Sequence, residues 1–334
     1  VGEHMDVELS NNPTVVEKAL YTLTFLGQDR AGNRTKPAFV SGLQYDFTPP
    51  ELTIIGPKNG EAINYKQIHY QNSEILETAQ MIWQWTGGVP DANSPHTLEL
   101  RGDELIGKEI GPINLSQSPN LVDGAEYTLL YVAFDPAGNQ SDTVTTMKIL
   151  YDITPPVIAI TYPQSDIFTT ETQVQFNSTE DLYGFNMDWL GKFAGAPDNI
   201  VSYNHDGVLS SGEYNSDNLF IPELSDGFTY TITLNGADRA GNKAIPAEIT
   251  DVRIDLTPPE FTDLIPASGY FINQMNFGWS LSENIEEGSI SFTHPNGTIE
   301  VPLSKNEMGL GTREPRPLEN DLQLNDGQEY SINI

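Results

Sequence analysis

Residues 123–139 read Asp-Gly-Ala-Glu-Tyr-Thr-Leu-Leu-Tyr-Val-Ala-Phe-Asp-Pro-Ala-Gly-Asn, and this stretch decides the fold. After an Asp-Gly turn, Tyr127, Leu129, Tyr131 and Ala133 occupy every second position. Successive side chains of a strand point to opposite faces, so these four belong on one face, turned toward a core. The stretch closes on Asp135-Pro136-Ala137-Gly138-Asn139, which is turn chemistry. The Asp side chain caps the turn, Gly supplies left-handed backbone, and Asn tolerates that conformation or bonds locally. A strand running into a tight hairpin is the expectation.

Every part of this stretch recurs. Asp-x-Ala-Gly-Asn stands at Asp29–Asn33, Asp135–Asn139 and Asp238–Asn242. Asp-x-Thr-Pro-Pro stands at Asp46–Pro50, Asp152–Pro156 and Asp255–Pro259. Both advance by 106 residues and then by 103. Asp-Gly-x-x-Tyr occupies Asp123–Tyr127, Asp226–Tyr230 and Asp326–Tyr330, and Tyr21 keeps the position 106 residues before Tyr127. A fourth marker, Ser-Glu or Thr-Glu, ends a strand at Glu74, Glu180 and Glu283 in the same register. Ahead of it run Ile68-x-Tyr70, Val174-x-Phe176 and Phe277-x-Trp279. Four markers in one register define a tandem repeat of about 100 residues per unit, and short alternating segments at that length predict antiparallel sandwiches.

Asp-Gly-x-x-Tyr followed by an alternating strand resembles the tyrosine corner of immunoglobulin-like domains, whose Tyr bonds back to the backbone across a strand corner. The pattern as a whole is similar to the bacterial immunoglobulin-like (Big-type) tandem repeats of large surface proteins and adhesins. The resemblance implies an all-β chain of tandem immunoglobulin-like antiparallel β-sandwich domains arranged as an elongated rod, with Trp85 and Trp189 as the core tryptophans of the third strand. The register places the later half of a repeat at 1–47, complete domains at 48–153 and 154–256, and the early part of another at 257–334. Leu9 falls where Leu115 does, and Val7–Tyr21 overlaps the run ending near Tyr330.

Charge and composition narrow the function. Among 334 residues, 47 are acidic and 16 basic, a formal net charge of −31. Nucleic acid and anionic membrane both need a basic surface, so neither is an expected partner. Apolar residues still make up 38% of the chain and aromatic ones 10%, which suffices for folded cores. With no cysteine, disulfides, thiolate metal sites and cysteine nucleophiles are excluded. No apolar run is long enough to span a bilayer. No serine-hydrolase elbow, Walker loop or dinucleotide fingerprint appears, and a catalytic pair would not repeat with every domain, so no enzyme is expected.

The two prolines of each linker fix φ and remove two N–H donors, predicting a stiff connection. Immunoglobulin-like topology then brings three acidic markers together where one domain enters the next. These are Asp46, Glu74 and Asp135, with Asn139 nearby, and Asp152, Glu180 and Asp238, with Asp181 and Asn242 nearby. Asp255 and Glu283 begin a third set. Clustered carboxylates repel unless protonated, solvated or bridged by a cation. Calcium, which takes roughly six to eight oxygen ligands, suits such a cluster, and the bland alternative is that these acids cap loop backbone. Neither an EF-hand loop nor a Gly-Gly-x-Gly-x-Asp run is present.

Other candidates are weaker. Arg101-Gly102-Asp103 spells an integrin tripeptide but is ordinary turn chemistry. Asn33, Asn114, Asn139, Asn177 and Asn296 head glycosylation sequons, two of them inside the repeat's own turns. His4, His69, His96, His205 and His294 lack metal-site spacing. Trp83 and Trp85 fall on one strand face, as a sugar platform or as core. The expected function is a non-enzymatic extracellular or cell-surface stalk, a secreted structural or adhesive segment with neighbouring repeats as partners. One alternative is a filament subunit self-assembled by strand exchange between terminal half-domains. The other is a carbohydrate- or protein-binding accessory module carried on the variable stretches 86–112 and 190–220.

Overall fold

The computed structural model describes residues 2, 3, 5 and 11–334. His4, Val7 and Leu9 lie outside the described residues. Two compact units are formed, one holding Val1–Ile167, Glu171–Leu224 and Thr229–Val252, the other Phe168–Thr170, Ser225–Phe228 and Arg253–Ile334. Among the described residues, regular structure is strand apart from three single 3-10 turns, as the period-two patterning requires.

In the first unit, strands Leu20–Phe25 and Ala38–Gln44 make an antiparallel hairpin. The chain then builds a sandwich between Leu52 and Tyr151. One sheet has Ile68–Asn72 between Leu52–Gly56 and Glu109–Ile113. The other is ordered Ala62–Ile63, Val144–Tyr151, Ala125–Phe134, Thr78–Gly88, His96–Glu99. Its pairings are antiparallel except that Ala62–Ile63 runs parallel to Val144–Tyr151. Tyr127, Leu129, Tyr131 and Ala133 are fully buried, and they meet Ile68, Tyr70, Met81 and Trp83 in one core. Fully burying a side chain of this size is worth roughly 1.5–3 kcal/mol, so the alternating face drives the closure of the sandwich.

A second sandwich repeats the plan. Gln175–Ser178 lies between Ile158–Tyr162 and Gly212–Asn215 in one sheet. In the other, Leu182–Lys192 pairs with Asn199–Asn204 and Thr229–Ala237. Val174, Phe176, Phe185, Met187, Trp189, Tyr230, Ile232 and Leu234 are buried. In the second unit, Phe277–Leu281 lies between Phe261–Ile265 and Gly311–Arg316. Ser289–His294 is flanked by Gly297–Pro302 and Ser331–Asn333. Phe277, Trp279, Ile290 and Phe292 form the centre of its core.

The structure corrects one assignment. The tryptophan equivalent to Trp189 is Trp83, not Trp85: both Trp83 and Trp189 are fully buried, nine residues after their Glu markers. Phe292 takes that place in the second unit and is likewise buried. Trp85 is 38% exposed, and its indole N–H donates to the Val89 carbonyl at 3.0 Å. Alternation gives the parity of a strand but not where along it the core ends, so a two-residue slip is invisible to it. Trp83 and Trp85 therefore offer no paired exposed platform.

The tyrosine corner is present as expected. The Tyr127 hydroxyl accepts from the Val122 amide at 2.9 Å, Tyr21 from Val16 at 2.5 Å, and Tyr330 from Asn325 at 3.1 Å. Tyr127 also donates to Asp91 at 2.6 Å, and the same Asp91 oxygen contacts His96 Nε2 at 2.6 Å. Burial and the hydrogen bond to Asp91 push the Tyr127 hydroxyl up to about 12. In the second sandwich Tyr230 donates to Asn199 at 2.9 Å.

Candidate functional site

Each Asp-x-Ala-Gly-Asn segment folds as one hairpin tip. The Asp135 amide donates to the Asn139 carbonyl at 3.1 Å, and the Gly138 amide to the Asp135 carbonyl at 3.1 Å. Asp135 Oδ1 accepts from the Ala137 and Asn139 amides at 2.9 and 2.8 Å, and Oδ2 from Asn139 Nδ2 at 2.8 Å. Asp238 accepts likewise from the amide and side chain of Asn242, and Asp29 from those of Asn33. Gly138 and Gly241 sit at φ +91° and +89°, left-handed backbone that a side chain would strain.

The Asn side chain also reaches the linker. Asn139 Nδ2 donates to the Asp46 carbonyl at 3.1 Å, and Asn242 Nδ2 to the Asp152 carbonyl at 2.8 Å. The Asn242 side-chain oxygen accepts from Asn64 Nδ2 at 3.0 Å, and Arg239 donates to the Gly60 carbonyl at 2.6 Å. The carboxylates of Asp46 and Asp152 turn back on their own linkers to accept from the amides of Thr48 and Thr154, at 3.2 and 3.1 Å. Beyond the prolines, the Glu51 amide donates to Ser73 Oγ at 2.9 Å while the Ser73 amide donates to the Glu51 carbonyl at 3.0 Å. Val157 exchanges the same pair of bonds with Thr179, and Glu260 with Ser282. This places Glu74 and Glu180 beside the linkers. Gly107 packs so closely under Glu74 that a Cβ there would lie 2.7 Å from its backbone.

One carboxylate oxygen from each of Asp46, Glu74 and Asp135 lies within 4.8 Å of the others, and the same holds for Asp152, Glu180 and Asp238. Asp135 and Asp238 are buried, and the other four are half-buried. Burial and the negative charges of Asp238 and Asp123 raise the Asp152 carboxyl above its ordinary value, against the hydrogen bond from Thr154. Burial and the charges of Asp152, Asp238 and Asp123 raise Glu180. Asp135 is held low: burial works to raise it, but the bonds from Asn139, Ala137 and Gly138 prevail.

The remaining predicted residues are placed differently. Asp181 turns away to accept from the Ser211 amide at 2.8 Å. Asp255 accepts from the Thr257 amide at 3.4 Å, and neither it nor Glu283 belongs to a group of three among the described residues. Asn139 and Asn242 present amide hydrogens to the linker rather than free oxygens. Arg101-Gly102-Asp103 leads into a 3-10 turn, Gly102–Leu105, whose Glu104 is buried and accepts from the Arg101 and Ser116 amides.

Two junction residues escaped the sequence reading. The first is the Asp of Asp-Gly-x-x-Tyr. Asp123 Oδ1 accepts from the Ile153 amide at 2.8 Å and Oδ2 from the Thr154 hydroxyl at 2.5 Å. Asp226 does the same for Leu256 and Thr257, both at 2.6 Å. Glu17, 106 residues before Asp123, takes the Thr48 hydroxyl. A carboxylate kept at this position where the rest of the marker has decayed was the available signal. The second is Lys18, at φ +58° where later copies have Gly124 and Gly227, with Nζ 3.9 Å from Glu74.

Residues 117–250 match the family model of the bacterial Ig-like domain (group 3). No curated protein matches the chain in sequence. Among solved structures, a tetra-tandem repeat in the extending region of a large adhesion protein is 14% identical. That alignment covers 91% of this chain and 75% of that one, with a TM-score of 0.29. The fibronectin(III)-like modules of Clostridium thermocellum CbhA are 15% identical over 61% of this chain and 94% of theirs, TM-score 0.27. Domains FN1–FN3 of chicken CNTN1 are 12% identical over 81% and 90%, TM-score 0.25. The segment that matches this family model contains Asp123, Asp135, Asp152, Glu180 and Asp238.

Proposed function

We propose that this chain is a non-enzymatic extracellular stalk or extender segment whose junctions are stiffened by Thr-Pro-Pro linkers and by calcium held between domains. The observation that carries this reading is the convergence of the repeated markers at two junctions, with three carboxylates from separate parts of the repeat meeting within 4.8 Å at each. A catalytic pair has no reason to recur with each domain, whereas a connection between domains must. The donor set is all oxygen, which fits a hard divalent cation rather than a transition metal. Asp46, Glu74 and Asp135 would hold the ion at one junction and Asp152, Glu180 and Asp238 at the other, its charge offsetting their mutual repulsion.

The test is thermal unfolding with small-angle scattering, in millimolar calcium, in magnesium and in chelator at constant ionic strength. Calcium is expected to raise the melting temperature and to narrow the range of particle dimensions, with magnesium much weaker. No response of either quantity removes calcium from the reading and leaves the acids as turn caps.

Self-assembly by strand exchange is a second reading, favoured by the hairpin Leu20–Phe25/Ala38–Gln44, where Leu23, Phe25, Phe39 and Val40 are exposed. Exposed apolar strand faces favour strand addition. A monomer at high concentration, by sedimentation, ends that reading.

A further inference from the structure

The amide and hydroxyl donors of the linker 152–157 are all hydrogen-bonded, and all but one of their acceptors lie outside the linker. The Asp152 amide donates to the Ile63 carbonyl at 2.9 Å, and the Asp152 carbonyl accepts from Asn242. The Ile153 amide and the Thr154 hydroxyl both go to Asp123, and the Thr154 amide goes to Asp152 Oδ1. Pro155 and Pro156 have no amide hydrogen, and Val157 is paired with Thr179. Prolines restrict φ at their own positions and push the preceding residue toward extended backbone. They leave the dihedrals of Asp152 and Ile153 free. Asp123 closes that gap, since its two oxygens grip the two groups just before the prolines.

We propose that the carboxylate at the strand corner and the linker threonine form an ion-independent latch that holds successive domains in one orientation. Three copies carry it. Asp123 grips Ile153 and Thr154, Asp226 grips Leu256 and Thr257, and Glu17 holds Thr48 despite the loss of the neighbouring glycine. Each latch carboxylate sits four residues before its corner tyrosine, Tyr21, Tyr127 or Tyr230. The Asp-Gly-x-x-Tyr marker thus fastens the corner inward through its tyrosine and the next linker outward through its acid. The latch does not rest on calcium binding, and its test is run in chelator so that the two readings fail separately.

The chain has no cysteine, so Thr97→Cys and Ser202→Cys, both at exposed strand positions, give two spin labels, one per complete sandwich. Their distance distribution is expected to be a single narrow peak in chelator. Thr154→Val and Asp123→Ala are expected to lose that narrow peak while circular dichroism and the unfolding midpoints show both sandwiches folded. Asp123→Glu is expected to restore it, as Glu17 does at the first linker. A distribution already broad without substitution, or one that stays narrow in both Thr154→Val and Asp123→Ala, overturns the latch.

Discussion

The junction at Asp46, Glu74 and Asp135 and the junction at Asp152, Glu180 and Asp238 share their hairpin caps, their reciprocal Ser/Thr pairs and their three converging carboxylates. They differ in what surrounds the carboxylates. At the first, Lys18 brings an ammonium to 3.9 Å from Glu74, so the chain supplies a positive charge of its own. At the second, a glycine stands in the lysine's place, and burial, with the charges of the cluster and of Asp123 (the counterpart of Glu17), raises both Asp152 and Glu180. Backbone geometry and charge balance are therefore set by separate positions. Hydrogen bonds fix where the aspartates stand, and one neighbouring side chain changes how far the cluster must be compensated.

The largest effect should come from what the junctions share. Asp135→Ala and Asp238→Ala each remove a buried carboxylate and strand the Asn side chain and backbone amides that it accepts from. Hydrogen bonds to charged groups are worth about 1.5–3 kcal/mol each, so a loss of roughly 3 kcal/mol is expected in either sandwich, read by denaturant unfolding. Clearly unequal losses would mean that the hairpins are not equivalent supports.

Under the proposal of calcium at the junctions, its addition is expected to give the next largest effect and to sharpen the difference. Binding only the folded state at about a hundredfold over Kd stabilises it by about 2.7 kcal/mol. Calorimetry is expected to resolve two classes of site, the tighter abolished by Glu180→Gln and the weaker by Glu74→Gln. The opposite order would show that Lys18 does not weaken the first site.

Acid pH should act in the same direction at the second junction without any ion. Because the folded state raises Asp152 and Glu180, it binds protons there more readily than the unfolded chain does. Stability from these groups is complete at low pH and lost as pH rises through their raised values. Melting in chelator, scanned from pH ~7 down toward the carboxylate range near ~4, should first rise. Further acid should reverse the gain as Asp135 and Asp226, both held low, become protonated and their bonds fail. Asp152→Asn should blunt the rise.

The smallest effect belongs to Lys18→Ala in chelator. Exposed ion pairs contribute about 0.2–1 kcal/mol, so stability should barely fall. Calcium affinity at the first junction should increase, and Gly124→Lys should not be used as its mirror, because Gly124 sits at φ +74° with a tight approach to Val89.

Much of this molecule was readable from its residues because the repeat prints every local rule three times. The alternation of Tyr127, Leu129, Tyr131 and Ala133 specifies a strand face, and the Asp, Gly and Asn of the hairpin specify a turn, from interactions within a few residues. The convergence of Asp46, Glu74 and Asp135 was also legible, since it follows from chain topology once the strands are ordered. The tryptophan was misplaced because period two does not mark where a core begins. The orientation of Asn139 and Asn242 was hidden for another reason: an amide side chain offers both donor and acceptor, and only its neighbours in space choose between them.

By itself, then, the sequence determined the repeat length, the alternating strand faces, the turns and the three acids that converge at each of two junctions. Only the tertiary structure decided that Asp123 and Thr154, 31 residues apart, meet across the linker. It alone decided too that Lys18 stands by Glu74, and that Trp83 rather than Trp85 fills the core. Local preferences act along the chain and leave a pattern in it, whereas these contacts depend on which distant surfaces the closed sandwiches bring within a few ångströms.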